Sequence, residues 1–197
     1  MTLRVLFVYI LYSSANDNLN FFYLYDAPGL EGLYRFVGSL FTVVEFLIFS
    51  WIFLRVITGR LRRSIIVFCM VTFVIFSALN YLFAPSIAHY DSLPIIIEGI
   101  LVLIFCLFYF FEQISGPPTS LIYTKTDFWI VLGIMIYISL GFFLFLQASI
   151  ASLSTISKFW DINLVSNILK NIIFAIAFVI NDEKESDSLA KRHYSTF

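Results

Sequence analysis

The chain has 197 residues, 60% of them hydrophobic and only 13% charged, with a formal net charge of −1 and a mean hydropathy of +0.93. A soluble domain carries about 45–50% apolar and about 25% charged residues, and so short a chain cannot bury the excess in one core. Lipid is therefore the expected solvent and one domain the expected size, while a nucleic-acid role, which needs a basic face, is excluded.

The first apolar segment, residues 3–12, is too short to cross a bilayer unaided. No small-residue cleavage site follows it, only Ser13, Ser14, Ala15, Asn16 and Asp17, so a short or truncated N-terminal helix is expected rather than a secretory leader. Five longer runs follow, at about residues 33–57, 64–83, 93–111, 128–150 and 160–180. Each approaches the roughly 20 residues that cross a hydrocarbon core of about 30 Å. An apolar segment in lipid must satisfy its own backbone groups, and these runs do not alternate as barrel strands do. The fold class expected is all-α: a polytopic transmembrane helix bundle with five long spans plus the short or truncated N-terminal helix. Residues 1–181 form the single transmembrane domain and 182–197 a short, solvated tail.

Orientation follows from the basic residues. Arg55, Arg60, Arg62 and Arg63 surround the first inter-run loop, which should be cytoplasmic. Alternate spans then place Lys125 and the tail residues Lys184, Lys191 and Arg192 on the same side, leaving only Arg35 and Lys158 opposite. An inner-membrane, multi-pass protein with a cytoplasmic C-terminus is expected, and Arg4 also starts inside if residues 3–12 count as a span. Trp129 and Trp160 stand at run starts, as interfacial anchors do, and Gly116, Pro117 and Pro118 make a helix stop.

Ionisable groups within the spans carry the most information, because each costs about 2.5–3.5 kcal/mol to insert and so faces the bundle and finds a partner. Glu45 lies near the middle of the first long run, Glu98 in the outer third of the third, and Lys170 near the middle of the fifth. By helical rise Glu45 and Lys170 lie at similar depths, about 18 Å and about 15 Å from the outer ends of their runs. They would meet if those helices are neighbours. Asn163, Asn167 and Asn171, spaced by four and flanked by Ser166, draw a polar stripe along the last run. That stripe should turn inward, with Ile162, Leu164, Ile168, Leu169 and Ile172 toward lipid. Asn80 and Gln147 fall in the outer half of their spans. The candidate buried polar cluster is therefore Glu45, Glu98, Lys170, Asn167, Asn171, Asn80 and Gln147, a chamber opening outward. The same residues also suit interhelical hydrogen-bond glue.

Dedicated chemistry is missing. The chain has no Walker loop, no H-E-x-x-H motif and no G-x-S-x-G elbow. Its two histidines, His89 and His193, and two cysteines, Cys69 and Cys106, have no metal-ligand spacing, and the cysteines read as core hydrophobes. No catalytic residue, metal or cofactor is expected.

Several stretches resemble a family of uncharacterised multi-pass membrane proteins of Bacteroidota: Leu33, Tyr34 and Arg35 through Glu45, Phe46 and Leu47; Glu98 and Gly99 through Glu112 and Gln113; Phe128 and Trp129 through Tyr137; and Asn167 through Phe178. Glu45, Glu98 and Trp129 carry the resemblance beyond hydrophobicity. It covers most of the chain but departs at the start, where the family has one more complete span and this sequence reads as beginning in mid-span. Such proteins often stand beside sensor histidine kinases, which implies a membrane or cytoplasmic signalling partner besides the lipid bilayer, with homo-oligomers also open. The reading that follows is a non-enzymatic sensory or accessory subunit. A small transporter or channel component is the alternative, and an intramembrane lipid-acting enzyme a weaker one.

Overall fold

The computed structural model describes residues 2–19, 29–83, 92–115, 122–148 and 164–180. Among these, every regular element is helical. We label them α1 (Thr2–Leu19), α2 (Glu31–Val56), α3 (Arg60–Phe83), α4 (Ser92–Ser115), α5 (Thr126–Ala148) and α6 (Leu164–Ile180), with a 3₁₀ turn at Ile122–Thr124 before α5. Pro94 sits in the first turn of α4, where its missing N–H costs no helical hydrogen bond.

Among the described residues, four helices are long and apolar enough to cross a membrane: Gly32–Val56, Arg60–Phe83, Leu93–Ser115 and Thr126–Leu144. The fifth expected span corresponds to α6, of which 17 residues are described, rising about 25 Å. Its first residues, with Trp160 and Asn163, lie outside the described residues, as do the Gly-Pro-Pro stop and the tail 182–197. The N-terminal helix is longer than its apolar segment. Helix α1 runs on through Ser13, Ser14, Asn16, Asp17 and Asn18, and Asn18 Nδ2 donates back to the Ser14 carbonyl at 2.7 Å.

Contacts along the helices set their directions. Tyr9 meets Glu45 while Tyr12 stacks on Phe41, so α1 and α2 are antiparallel. Phe36 meets Tyr81 while Phe46 meets Phe73, which orients α3 against α2. The Gly133 position faces Phe174 while Tyr137 faces Lys170, so α5 and α6 are antiparallel. All six helices alternate up and down. Arg4, Arg55, Arg60, Arg62, Arg63 and Lys125 consequently gather at one end of the bundle, called the arginine end below. Arg35 stands at the other end, donating to the Tyr81 carbonyl in the last turn of α3 at 3.3 Å.

Packing arranges five helices in a ring. Helix α2 touches α1 and α4, α4 touches α5, and the contacts of Gly133 with Phe174 and of Tyr9 with Lys170 close the circuit through α6. Helix α3 lies outside, in the groove between α2 and α4. Aromatic residues fill the half of the ring nearer the arginines. Phe46, Phe49, Phe53, Phe105 and Tyr109 are fully buried there or nearly so, with Phe53 and Phe105 edge-to-face at 5.8 Å. Cys106 belongs to this core and Cys69 is half-buried; both are free thiols.

The outer surface is as apolar as the core. On α3 one face carries Phe68, Val71, Ile75, Leu79 and Leu82, all exposed, and on α1 Phe7, Val8 and Leu11 are exposed. Such continuous apolar faces on a polar-ended bundle fit a hydrocarbon solvent rather than water, and the chain is an integral membrane protein. In vesicles, a nitroxide on cysteine at Val71 or Ile75, with Cys69 and Cys106 replaced by alanine, is expected to be relaxed by dissolved oxygen and shielded from an aqueous nickel chelate. Equal access for the chelate at both positions would contradict a lipid-facing α3.

Candidate functional site: a buried ionisable cluster

The ring encloses a cluster to which each of its five helices contributes at least one polar side chain. Glu45 of α2 is 5% exposed, Glu98 of α4 2% and Lys170 of α6 1%. Tyr9 of α1 is fully buried between them. Its hydroxyl donates to Glu45 Oε1 at 2.5 Å and accepts from Lys170 Nζ at 2.9 Å. Tyr137 of α5 completes the set. Its hydroxyl faces the Glu45 carboxyl and its ring centroid lies 3.9 Å from Lys170 Nζ, a cation–π distance. Asn167, one turn before Lys170, accepts a further hydrogen bond from Nζ at 2.8 Å.

This geometry answers the insertion cost of the charges. A lysine ammonium has three donors, and in lipid each needs an acceptor. Asn167, Tyr9 and two aromatic faces surround it. Glu45 and Lys170 do come together, but through the Tyr9 hydroxyl. The cluster is packed: contacts of 2.5–2.9 Å leave no room for a solute between Lys170, Tyr9 and Glu45.

Glu98 stands apart within the same interior. It is close enough to Glu45 for the two carboxyls to act on each other electrostatically, yet its Oε1 is buried with no hydrogen-bond partner among the described residues. Lys170 does not reach up to it. Ser77 Oγ of α3 is likewise buried and unpartnered.

The remaining expected members divide by helix face. Asn171 is exposed rather than buried. It is about 100° around α6 from Lys170, and only one of the two can face inward. The lysine takes that position because leaving a charge in lipid costs more than leaving an amide there. The inward stripe is therefore Ser166, Lys170, Phe174 and Ala177, with Asn167 at its margin and Leu164, Ile168, Leu169 and Ile172 outside as expected. Asn80 is half-buried on α3, outside the ring, and does not join the cluster. Gln147 falls in the last turn of α5.

A second polar site lies at the arginine end. Glu112, in the last two turns of α4, grips the α2–α3 loop. Its Oε2 accepts from the Thr58 amide at 2.9 Å and the Thr58 hydroxyl at 3.0 Å, and its Oε1 from the Gly59 amide at 2.9 Å and Arg62 Nη1 at 2.6 Å. A carboxylate placed there satisfies orphan N–H groups just ahead of α3 and complements its dipole. Glu98 and Glu112 are 14 residues apart, nearly four turns, so both project from one face of α4, which also carries the buried Val102, Phe105 and Tyr109. One rigid helix thus joins the buried cluster to the loop.

No protein-family model, no curated protein and no solved structure matches this chain.

Proposed function

We propose that this protein is a non-enzymatic sensory or accessory subunit of the inner membrane, with its arginine end and C-terminus in the cytoplasm. The buried cluster is its responsive element and the α2–α3 loop its output. One observation carries this reading: α4 bears both a carboxyl with an unpartnered oxygen in the cluster and the carboxylate that clamps the loop. A change in the cluster that shifts or rotates α4 has a direct mechanical path to Thr58, Gly59 and Arg62. Packed interiors respond to such changes in discrete steps. The basic loop supports this orientation through the positive-inside tendency. The resemblance drawn from sequence makes a histidine kinase the partner of choice.

Photo-crosslinking from Arg63, exposed on α3 beside the clamp, tests this. In the native membrane the reading expects a histidine kinase as the main adduct, with a yield altered several-fold by Glu45→Gln in the cluster and by Glu112→Ala at the clamp. If neither substitution moves the yield, or if solute flux in proteoliposomes depends on Glu45 and Lys170 while no signalling protein is captured, the accessory reading fails. The flux outcome would establish a transporter component.

A further inference from the structure

The cluster is unbalanced in charge. Two carboxyls, Glu45 and Glu98, share the interior with one ammonium, Lys170, and that ammonium is committed to Tyr9, Asn167 and the Tyr137 ring. Among the described residues, the helices around Glu98 offer no second cation. Helix α2 presents Glu45, α1 presents Tyr9, Tyr12 and, near its end, Asp17, and α5 presents Tyr137. Helix α6 presents Lys170 on the far side of Tyr9 and Tyr137. Helix α3 brings its three arginines only at the other end, beside Glu112. Two carboxylates near each other in a low-dielectric interior, with one cation, cannot both stay ionised at reasonable cost.

Among the described residues, a polar route leads to this pair from the end opposite the arginines. On α1, Tyr9, Ser13 and Asp17 are spaced by four and share a face. Tyr9 and Ser13 are buried, whereas Asp17 is exposed. Asp17 is near enough to act electrostatically on both Lys170 and Glu45. On α6, Ser166 is buried one turn before Lys170 and Asn167 accepts from Lys170 Nζ, so the polar surface of this helix continues toward the same end. Toward the arginine end the way is closed by Phe46, Phe49, Phe53 and Phe105.

We propose that the Glu45–Glu98 pair is a proton-binding site, loaded from the end opposite the arginines along the α1–α6 seam, so that the ligand sensed by the cluster is the proton. This rests on the sensory reading above and names its ligand. The transfer balances without redox chemistry. Tyr9 passes its hydroxyl proton to Glu45, Lys170 returns one to Tyr9, and a proton from the Asp17 side restores Lys170. The carboxyls of Glu45 and Glu98 then turn into hydrogen-bond contact; the Glu45 O–H bond breaks as a new O–H bond forms at the unpartnered Glu98 Oε1, which leaves Glu45 ionised beside Tyr9 and Lys170 as at the start.

Infrared difference spectroscopy on the purified chain in nanodiscs tests the site. Wild type should show a protonated-carboxyl carbonyl band that is lost on alkalinisation. The band should disappear in Glu98→Gln and shift in the more conservative Glu98→Asp. It should persist in Asp127→Asn, at the start of α5. After a pH jump, Asp17→Asn should slow the change several-fold without altering its amplitude. A band retained in both Glu98→Gln and Glu45→Gln, or no titrating buried band in wild type, would overturn the proton site; an unchanged rate in Asp17→Asn would overturn the route. Crosslinking from Arg63 separates the two readings. A yield that answers to Glu45→Gln without any titrating band refutes only the proton, whereas a titrating band with an unresponsive yield refutes the sensory role.

Discussion

Replacing Lys170 with methionine is expected to cost about 3–5 kcal/mol of folding free energy, among the largest losses any single substitution in this chain should cause. Methionine matches the stem in length, so packing is nearly preserved and the effect is electrostatic. Glu45 is left buried with only the hydroxyls of Tyr9 and Tyr137 near it, and the Tyr9 oxygen and the Asn167 carbonyl lose their shared donor. Removing one member of a buried pair is costly because the other stays in place, whereas removing the whole pair can be nearly neutral. The double variant Lys170→Met with Glu45→Leu should therefore recover most of the loss. The remaining deficit, about 1–3 kcal/mol for the stranded Tyr9 hydroxyl, should vanish on adding Tyr9→Phe. Reversible unfolding in mixed micelles of rising denaturing-detergent fraction measures each step. A single variant within about 0.5 kcal/mol of wild type, the range of inconsequential surface changes, would mean that Lys170 does not occupy the ring interior.

What could be read in the sequence depends on how unusual a residue is in its surroundings. A carboxylate or ammonium inside an apolar run is costly wherever it faces lipid, so Glu45, Glu98 and Lys170 could be singled out without knowing which helices adjoin. Tyr9 could not. Tyrosine is common in apolar segments, and the apolar run that holds it ends at residue 12, before the polar Ser13, Ser14, Asn16 and Asp17. The helix continues because Ser13 and Asp17 fall on the face turned to the cluster, which only the position of α6 reveals. Tyr137 was hidden for the same reason. The asparagine stripe of α6 misled in a definite way: spacing of four identifies a shared face, but Asn167 and Asn171 are each adjacent to a competing stripe headed by Lys170, and the charge decides which face turns inward. Glu112 sits at a run end, where a carboxylate ordinarily just meets water. Its role depends on the three-residue connection between α2 and α3 lying within reach. Helix order in the bundle was illegible for a further reason. In a membrane the lipid-facing and core-facing sides are both apolar, so periodicity cannot show that α3 is peripheral.

The position that fixes α6 against the rest is Gly133, and enlarging it is expected to undo the cluster without touching any of its members. A Cβ at this residue would lie 2.7 and 2.9 Å from two ring atoms of Phe174 and 3.3 Å from Cγ2 of Ile173. Phe174 is fully buried, so its ring has nowhere to withdraw. Small residues at helix crossings allow this closeness in membranes, where van der Waals contact replaces the hydrophobic drive. Phe174 is also one turn from Lys170 on the same stripe, so pushing it outward carries Nζ off the Tyr137 ring and away from the Tyr9 hydroxyl. Gly133→Ala should cost about 1–3 kcal/mol by overpacking. Gly133→Leu should lever α6 off α5, with a loss comparable to that of Lys170→Met. The readout is chemical: Lys170 resists an amine-acylating reagent in the native bundle, is modified readily in Gly133→Leu, and is protected again when Phe174→Ala is added to open space for the new side chain. If acylation of Lys170 is as slow in Gly133→Leu as in wild type, then α6 does not dock through this contact and the ring is not closed at the α5–α6 crossing.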